Sequence, residues 1–311
     1  MKAFALSSFD EPAAVIEVDD PIVQAGEVLV RVAAASLNPY DAFVATGAAR
    51  SFMSYRFPAV LGGDLAGTVE ALGDAVDGIA VGDRVFGMMG MKGSVHDGSF
   101  GELATPQVAS IAATPDGVSD NDASTLAVAG TTASEAIEAV EPGDGQRVLI
   151  VGATGGIGSF AIQLARLRGA VVIATVRPGD EGFVTGLGAS ETVDYTADAV
   201  ATVRERYPDG VDAVIDAVSG SGDEFGAVVG LVKKGGRAAS TRGAAQGDEI
   251  DGVTTTNANG NPAHLAALAR RVADGEVRVA VSRTYRLDDA AAALRDLTEQ
   301  HTLGKLVITM R

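Results

Sequence analysis

Arg147-Val148-Leu149-Ile150-Val151-Gly152-Ala153-Thr154-Gly155-Gly156-Ile157-Gly158 is the stretch that decides the fold of this chain. The apolar run 147–151 has the length of a strand, and the apolar spacing after the glycines, over 159–165, predicts a helix. This order suits a dinucleotide pyrophosphate, because the turn brings bare backbone N–H groups near the phosphates and the helix N-terminus adds partial positive charge. A plain structural turn is the alternative. The predicted pyrophosphate residues are Ala153, Thr154, Gly155, Gly156, Ile157 and Gly158.

The next predicted strand, 170–176, leads into Arg177, which stands 24 residues after Ala153. About 20 residues after the motif begins, NAD-binding domains place an Asp or Glu that holds the ribose 2′-hydroxyl. A carboxylate would repel a 2′-phosphate, whereas a guanidinium would pair with it. The sequence therefore predicts NADPH rather than NADH as the cofactor, with Arg177 on the 2′-phosphate. The alternative is that Arg177 only ends a strand in solvent.

Composition limits the remaining possibilities. The chain has 311 residues, enough for two domains, and its 47% hydrophobic content can fill two cores. No run of about 20 apolar residues predicts a membrane span. Met1–Leu6 has a strand-like pattern without a cleavable signal, so we expect a soluble, cytoplasmic protein. The absence of cysteine excludes disulfides, thiol nucleophiles and thiolate metal sites.

The formal net charge of −17 argues against nucleic acid and anionic membranes as partners, because both select basic surfaces. A well-solvated acidic surface is the simplest explanation of this charge. An anionic cofactor that approaches such a protein needs a local basic pocket, which strengthens the interpretation of Arg177. We expect a small molecule as the partner.

Two patterns divide the chain. Residues 1–120 contain short strand-like runs separated by Gly, Pro and Asp, which is typical of a β-rich domain. From 121 to 255 strands alternate with helical segments, which predicts a doubly wound parallel sheet. The predicted strands there are 147–151, 170–176, 192–195, 211–216 and 237–240, and the predicted loop is 246–262. The tail is predicted as helix 263–274, strand 277–286, helix 288–300 and strand 305–309.

Seven motifs follow one another along the whole chain: Asn38–Asp41, Phe57–Val69, Gly82–Gly87, Gly98–Leu103, Ala129–Ala133, the glycine turn and Gly304–Val307. In this order they resemble the zinc-free quinone oxidoreductases of the medium-chain dehydrogenase/reductase superfamily, of the zeta-crystallin type. The resemblance implies an α/β protein with a GroES-like, β-rich catalytic domain at 1–120, completed by 256–311. It implies a Rossmann NADPH-binding domain with a doubly wound parallel sheet at 121–255, and a homodimer as the assembly.

The resemblance also implies chemistry without a metal. Zinc-dependent members hold the catalytic metal with Cys, His and Cys, and the matching positions here are Asn38, Gly63 and Val128. None of these is a good zinc ligand. Without a Lewis acid an unactivated ketone is a poor substrate, whereas a quinone or an α,β-unsaturated carbonyl delocalises the incoming charge. The protein then has to position the nicotinamide, exclude water and donate a hydrogen bond to the developing oxyanion.

Further cofactor contacts are expected after parallel strands, because ligands bind beyond the carboxyl ends of such strands. The residues expected there are Ala217, Val218, Ser240 and Thr241. The resemblance implies a 2′-phosphate contact for Tyr195, a place near the nicotinamide for Thr132 and a cofactor contact for Lys305. Each has an open alternative. Tyr195 could be a half-buried strand aromatic, Thr132 a threonine bonded to its own helix backbone, and Lys305 a solvated lysine.

Asn38 is the residue predicted to orient the acceptor oxygen, because the family places an asparagine beside the nicotinamide. Related quinone reductases carry a tyrosine near Phe43, which cannot donate, and Tyr40 is the candidate substitute. Asp41 and Asp64 are possible acids, although ordinary carboxylates are ionised at pH 7. Solvent is the other proton source. The histidines are expected at the surface: His96, His264 and His301.

The predicted function is an NADPH-dependent, metal-independent reductase of quinones or α,β-unsaturated carbonyls. The alternative keeps the fold without catalysis, as a non-catalytic NADPH-binding redox sensor or scaffold. The loop predicted at Ala48–Arg56 carries aromatic residues and arginines, which could line a pocket for a flat acceptor or cover the edge of the domain.

Overall fold

Residues 1–90 and 94–310 are described by the structure, which is a computed structural model, and they fall into two units. The first unit comprises Met1–Val128 and Leu265–Arg311, and the second comprises Ala129–His264. The domain borders predicted from the sequence, after residues 120 and 255, lie eight and nine residues before the borders after Val128 and His264. The roles of the two units stay predictions. In the described part of the chain, no helix is both long and apolar enough to cross a bilayer.

The first unit is rich in strands, as its short apolar runs predict. The elements of its N-terminal segment are β1 (Lys2–Leu6), β2 (Ala14–Glu17), β3 (Val28–Ser36), α1 (Pro39–Ala45), β4 (Ser54–Tyr55), β5 (Ala59–Val60), β6 (Asp64–Leu72), β7 (Arg84–Met88), β8 (Ser94–Val95), β9 (Leu103–Ala104), β10 (Ile111–Ala113) and α2 (Asp120–Thr125). Two 3₁₀ turns cover Ala48–Ser51 and Val108–Ser110, and a π-helical segment covers Leu126–Gly130.

The second unit is built on a mostly parallel sheet. Its elements are α3 (Thr131–Val140), β11 (Arg147–Val151), α4 (Gly156–Leu167), β12 (Val171–Val176), α5 (Glu181–Leu187), β13 (Glu191–Asp194), α6 (Ala199–Arg206), β14 (Val211–Asp216), α7 (Gly222–Val229), β15 (Val232–Ser240), β16 (Glu249–Ile250), β17 (Val253–Asn257) and a 3₁₀ turn at Pro262–His264. The strand order is β13-β12-β11-β14-β15-β17-β16, and only β16 is antiparallel to its neighbour. The order reverses between β11 and β14, which is where sheets of this kind bind ligands.

The central strands of this sheet are apolar on both faces. Val148, Leu149 and Ile150 of β11 are at most 1% exposed, and Val214 and Ile215 of β14 are fully buried. Continuous apolar runs are typical of parallel strands, because crossover helices cover both faces of the sheet. This is why the sequence pattern predicts the sheet well.

The C-terminal segment completes the first unit with α8 (Leu265–Ala273), β18 (Val281–Arg286), a 3₁₀ turn at Leu287–Asp289, α9 (Ala290–Glu299) and β19 (Lys305–Thr309). The main sheet has the order β10-β7-β6-β3-β19-β18, and β9 also pairs with β3. Smaller sheets are formed by β2-β1-β5 and by β4-β8. Because β19 runs antiparallel to β3, with Val307 opposite Ser36, Lys305 at the start of β19 lies beside the residues that follow β3.

The predicted α/β class, with a β-rich part and a doubly wound parallel sheet, is confirmed, and three local predictions are wrong. The predicted loop 246–262 contains β16 and β17, which extend the parallel sheet. The missed signal was the run of four β-branched residues Val253–Thr256, of which Val253 and Thr255 are buried while Thr254 and Thr256 are exposed. The predicted strand 277–286 begins only at Val281, and the predicted loop 48–56 contains a 3₁₀ turn and β4.

Candidate functional site

The glycine turn joins β11 to α4 in the second unit. Gly152 has a φ of +79°, and Gly155 is the N-cap of α4 with extended backbone. A Cβ on Gly158 would overlap the Gly152 carbonyl oxygen and lie 2.6 Å from Ala153 Cα, so the helix packs directly on the turn. The Gly152 N–H donates to Thr175 Oγ1 of β12 at 3.1 Å. These contacts hold the first turn of α4 in place, as an anion site at a helix N-terminus requires.

The residues of the turn differ in accessibility. Ala153 and Thr154 are buried, whereas Gly155, Gly156 and Ile157 are partly exposed. A ligand can therefore reach the turn at 155–157, where α4 begins. The Gly155 N–H donates to the Gly152 carbonyl at 3.1 Å, and the N–H groups of the first helical residues after it have no partner within the helix.

Arg177 and Tyr195 follow two neighbouring strands, β12 and β13. The Tyr195 N–H donates to the Val176 carbonyl at 3.0 Å, which places Tyr195 beside the end of β12. The Arg177 side chain is 43% exposed, and its Nε lies 3.7 Å from Asp180 Oδ2. Tyr195 is exposed as well. A guanidinium and a phenol are therefore accessible at the same edge of the sheet, a combination that suits a phosphate group.

Buried polar atoms without a partner lie at the ends of β14 and β15. Asp216 Oδ1 accepts from the N–H groups of Val218 (2.8 Å) and Ser219 (3.0 Å), whereas Oδ2 is buried and has no hydrogen-bond partner among the described residues. The Thr241 N–H donates to the Asp216 carbonyl at 2.9 Å, and Thr241 Oγ1 is also buried without such a partner. Unpaired buried polar atoms are costly, so their place at the ligand edge fits the polar groups of a bound nucleotide. The sequence indicates such a position for Asp216, because it is an acidic residue at the end of an apolar strand.

The other predicted cofactor residues of the second unit have different surroundings. Val218 is exposed and packs, together with Ala217, against the open side of Gly152. Ser240 is fully buried, and its Oγ accepts from the Ala244 N–H at 3.0 Å, so this oxygen is already engaged by the loop after β15. Thr132 is buried in the first turn of α3.

A second group of polar residues is buried in the first unit, and we call it the Asn38 cluster: Ser36, Asn38, Asp41, Asp64 and Lys305. Lys305 Nζ donates to Asn38 Oδ1 and to the main-chain carbonyl before Asn38, both at 2.6 Å. Asn38 Nδ2 donates to Asp64 Oδ2 at 2.8 Å, and Ser36 Oγ donates to the same oxygen at 2.8 Å. All five residues are at most 6% exposed. The alternative of a solvated lysine at position 305 is therefore wrong.

These bonds permit one orientation of the Asn38 amide. Reversal would place Nδ2 against the Lys305 ammonium and Oδ1 against the Asp64 carboxylate. An amide nitrogen carries two hydrogens, and Asp64 takes one of them. The second has no partner among the residues that the structure describes. The described residues thus leave one N–H of Asn38 unengaged, in a residue that is only 6% exposed.

The two carboxyl groups of the cluster are not ordinary surface acids. Asp41 Oδ2 accepts from the Asn38 N–H at 2.7 Å, which caps α1. Burial raises the pKa of Asp41 to about 7, and the nearby Asp64 adds to the rise. Burial also raises the pKa of Asp64 and lowers the pKa of Lys305. Because the two groups carry opposite charges, their mutual attraction reduces both shifts. Asp41 is therefore not an ordinary carboxylate, which fits its place among the possible acids predicted from the sequence.

The three positions that the resemblance matches to zinc ligands all donate hydrogen bonds to these carboxyl groups. Asn38 donates to Asp64 Oδ2, the Val128 N–H donates to Asp64 Oδ1 at 3.2 Å, and the Gly63 N–H donates to Asp41. Both oxygens of Asp64 are thus engaged by donors. Donors at these positions suit a hydrogen-bonded cluster, whereas a zinc site needs sulfur, imidazole or carboxylate ligands.

Tyr40 stands in an exposed row of rings on the first unit. Its hydroxyl donates to Met53 Sδ at 2.9 Å. Its ring stacks on Phe43 with centroids 6.1 Å apart, and Phe43 stacks on Phe52 at 6.2 Å. Burial of part of the ring raises the pKa of Tyr40, and the charge of Asp41 adds to the rise. The Tyr40 hydroxyl is thus directed to a thioether rather than to the Asn38 cluster.

Glu135, Glu138 and His264 of the second unit are a group of possible metal ligands among the described residues. His264 Nε2 lies 2.7 Å from Glu135 Oε2, and its Nδ1 lies 3.6 Å from Glu138 Oε1. Asn261 Nδ2 also donates to Glu135 Oε2, at 3.0 Å. The two ring nitrogens of His264 therefore face different carboxylates. Of the histidines expected at the surface, His264 is partly buried, with a side chain that is 15% exposed.

Comparisons with known proteins agree with this architecture. Residues 24–116 match the family described as alcohol dehydrogenase GroES-like domain, and residues 187–308 match the family described as zinc-binding dehydrogenase. The chain is 33% identical over 211 residues to a chloroplastic quinone-oxidoreductase homolog of Spinacia oleracea, a match that covers 66% of this chain and 63% of that protein. The chain thus spans less than two thirds of the spinach protein's length.

Two further relatives match along nearly the whole chain. The NADPH-dependent alkenal/one oxidoreductase of Arabidopsis thaliana is 30% identical over 295 residues, which cover 93% of this chain and 73% of that protein. The solved structure of the quinone oxidoreductase from Coxiella burnetii superposes with a TM-score of 0.88 at 29% identity, over 100% of this chain and 99% of that one. The chain therefore belongs to the medium-chain dehydrogenase/reductase family, in its quinone oxidoreductase-like group, and the resemblance inferred from the sequence motifs is confirmed.

Replacing Gly158 with alanine is expected to destabilise the second unit by about 2 kcal/mol, because the added methyl group overlaps main-chain atoms of the turn. Gly182→Ala is the matched control, since Gly182 lies exposed in α5 with no atom within 4 Å of the added carbon. This control should stabilise the protein by about 0.5–1 kcal/mol. Urea unfolding measures the change in the free energy of unfolding for both variants. Equal changes would contradict the close packing of α4 on the glycine turn.

Asp41 is expected to make stability fall as pH rises from about 4 to about 7. In this window the folded carboxyl binds a proton that the unfolded one, with its ordinary pKa of 3.8, has lost. Asp41→Asn should flatten this part of the profile, whereas Asp77→Asn, at an exposed position, should retain the wild-type slope. Urea unfolding at several pH values measures the free energy of unfolding of each variant. A profile unchanged in Asp41→Asn would mean that Asp41 is ionised in the folded protein.

Proposed function

We propose that this protein is an NADPH-dependent, metal-independent reductase of quinones or α,β-unsaturated carbonyls. The single observation that carries the proposal is the Asn38 amide, which is held in one orientation and has one N–H without a partner among the described residues. Such a group can donate to an oxygen on which negative charge develops. The names of the relatives support the same reaction class, since they include a quinone oxidoreductase and an alkenal/one oxidoreductase.

The second unit supports a nicotinamide cofactor. The glycine turn would hold the pyrophosphate at the start of α4, where the helix N-terminus favours negative charge. The unpaired Asp216 Oδ2 and Thr241 Oγ1 suit hydroxyl or amide groups of the same molecule. NADPH supplies the hydride when it is bound. Arg177 and Tyr195 favour the 2′-phosphorylated form, because the guanidinium keeps donors beyond the Nε that faces Asp180.

The acceptor class follows from the donors that the chain offers. Asn38 donates a hydrogen bond but supplies no full positive charge, so it gives less help to an unactivated ketone than a Lewis acid would. A quinone or an enone spreads the incoming charge over a conjugated system, and one hydrogen bond from Asn38 then suffices to orient and stabilise its oxygen. Solvent can supply the proton to the product.

The proposal is tested by NADPH and NADH oxidation at 340 nm against 9,10-phenanthrenequinone, 1,4-benzoquinone, trans-2-hexenal and a simple ketone. We expect turnover with NADPH on the quinones or the enal and none on the ketone. EDTA should leave the rates unchanged, because the Asn38 cluster is built from hydrogen-bond donors and carboxyl groups that they engage.

Each failure has its own meaning. Binding of NADPH without turnover on any acceptor would favour the non-catalytic redox sensor. Turnover on the ketone, or loss of activity with EDTA, would overturn metal independence, and Glu135, Glu138 and His264 would be the first ligands to replace.

Arg177→Asp is expected to raise the Kd for NADPH by about 10- to 100-fold and to change the Kd for NADH little, since only NADPH carries the 2′-phosphate. Arg204→Asp is the control for the same change of charge at an exposed position of α6. Fluorescence titration of the wild type and of both variants measures the Kd for each of the two cofactors. Equal losses for both cofactors would contradict the 2′-phosphate assignment.

The assembly and the cellular location stay predictions. We propose a homodimer, as the family resemblance implies, and a cytoplasmic location, as the composition of the chain predicts. Light scattering of the purified chain distinguishes a monomer from a dimer.

A further inference from the structure

A buried lysine whose nearest acceptors are uncharged is the unusual feature of the Asn38 cluster. Lys305 Nζ donates to Asn38 Oδ1 and to the Leu37 carbonyl, and among the described residues it forms no direct ion pair with a carboxylate. Lysine is almost never fully buried without a charged partner. A lysine whose task was only to neutralise Asp64 would be expected to donate to it directly. Instead the Asn38 amide stands between the two charges.

The resulting chain of hydrogen bonds has one direction. Lys305 donates to Asn38 Oδ1, and Asn38 Nδ2 donates to Asp64 Oδ2, which also accepts from Ser36. Hydrogen bonds linked in this way polarise one another in a medium of low dielectric constant. An ammonium on the amide oxygen withdraws electron density from the amide nitrogen, which makes the remaining N–H a stronger donor. The two fixed ends also hold the amide plane, and hence the direction of that N–H.

We propose that Lys305 is the positioning residue that orients and polarises Asn38, so that a buried ammonium strengthens the hydrogen bond from Asn38 to the acceptor oxygen. The inference rests on the proposed function and adds a residue to it. Lys305 does not touch the acceptor in this proposal. Its charge acts through the amide, at the site where zinc-dependent relatives use a metal ion.

The kind of acceptor should decide how much Lys305 matters. An enal becomes an enolate, whose charge is shared by only one oxygen and one carbon and lies mainly on the oxygen, so it depends strongly on a hydrogen bond there. An easily reduced quinone becomes a delocalised aromatic anion and needs less help. Loss of the ammonium should therefore slow the enal far more than the quinone, whereas a merely disturbed site would slow both by similar factors.

The experiment compares Lys305→Met with Lys234→Met, which removes an exposed lysine of the second unit. For Lys305→Met we expect kcat to fall by roughly 100-fold with trans-2-hexenal and by less than about tenfold with 9,10-phenanthrenequinone. KM should change little, because the interaction strengthens in the transition state. Lys234→Met should stay within about twofold of the wild type with both acceptors.

Folding is monitored in parallel by urea unfolding and by the Kd for NADPH. Loss of the ammonium alone leaves Asp64 as a buried charge without compensation, which can prevent folding. If Lys305→Met gives no cooperative unfolding transition, the double variant Lys305→Met/Asp64→Asn is measured by the same criteria, since it removes both charges together.

The outcomes separate the two proposals. Selective loss of enal turnover supports the role of Lys305. Equal losses for both acceptors, or a change confined to KM, would overturn that role and leave the reductase proposal standing. A wild-type protein that reduces neither acceptor would overturn both.

Discussion

The first unit depends on the hydrogen bond from Lys305 to Asn38. It joins residues 267 positions apart, at the start of β19 and at the N-cap of α1. Burial of a charged lysine costs several kcal/mol, and the attraction to Asp64 and Asp41 offsets this cost only if the geometry is good. The pairing of β19 with β3 supplies that geometry, since it brings the C-terminal segment against the residues that follow β3. The return of the chain to the first unit is therefore needed to complete the cluster, and is more than a way to close the sheet.

Electrostatic balance explains the rest of the cluster. Two carboxyl groups and one ammonium share a buried space, and one of the carboxyl groups, Asp41, has its pKa raised to about 7. Asp64 is held by donors from Ser36, Asn38 and the Val128 N–H, so it is the better candidate for the ionised partner of Lys305. Asp41 accepts only main-chain hydrogen bonds and titrates more easily. The raised pKa of Asp41 reduces the negative charge of the cluster near neutral pH, which limits the cost of burying it.

The second unit follows a different constraint, the close approach of α4 to the glycine turn. No side chain fits at Gly158, so the first turn of the helix lies directly on the backbone that leaves β11. The neighbouring strand ends then supply Arg177 and Tyr195 on one side and Asp216 and Thr241 on the other. A polar ligand placed across the ends of these strands would meet Asp216 Oδ2 and Thr241 Oγ1, which have no partner among the described residues.

The sequence by itself determined the fold class, the glycine turn and the strand ends at Arg177 and Asp216, because these features are local: apolar runs, glycines and the residues next to them lie within one strand–turn–helix unit. The sequence also identified the family, because the family's motifs follow one another in order along the chain. The prediction from the sequence missed β17, because its β-branched run Val253–Thr256 lies within a polar, glycine-rich stretch. Only the tertiary structure decided that Lys305 is buried on Asn38, that the pKa of Asp41 lies near neutrality and that Asp216 Oδ2 has no partner among the described residues. Burial, electrostatic surroundings and hydrogen-bond pairing arise from contacts between distant parts of the chain, and no local pattern records them.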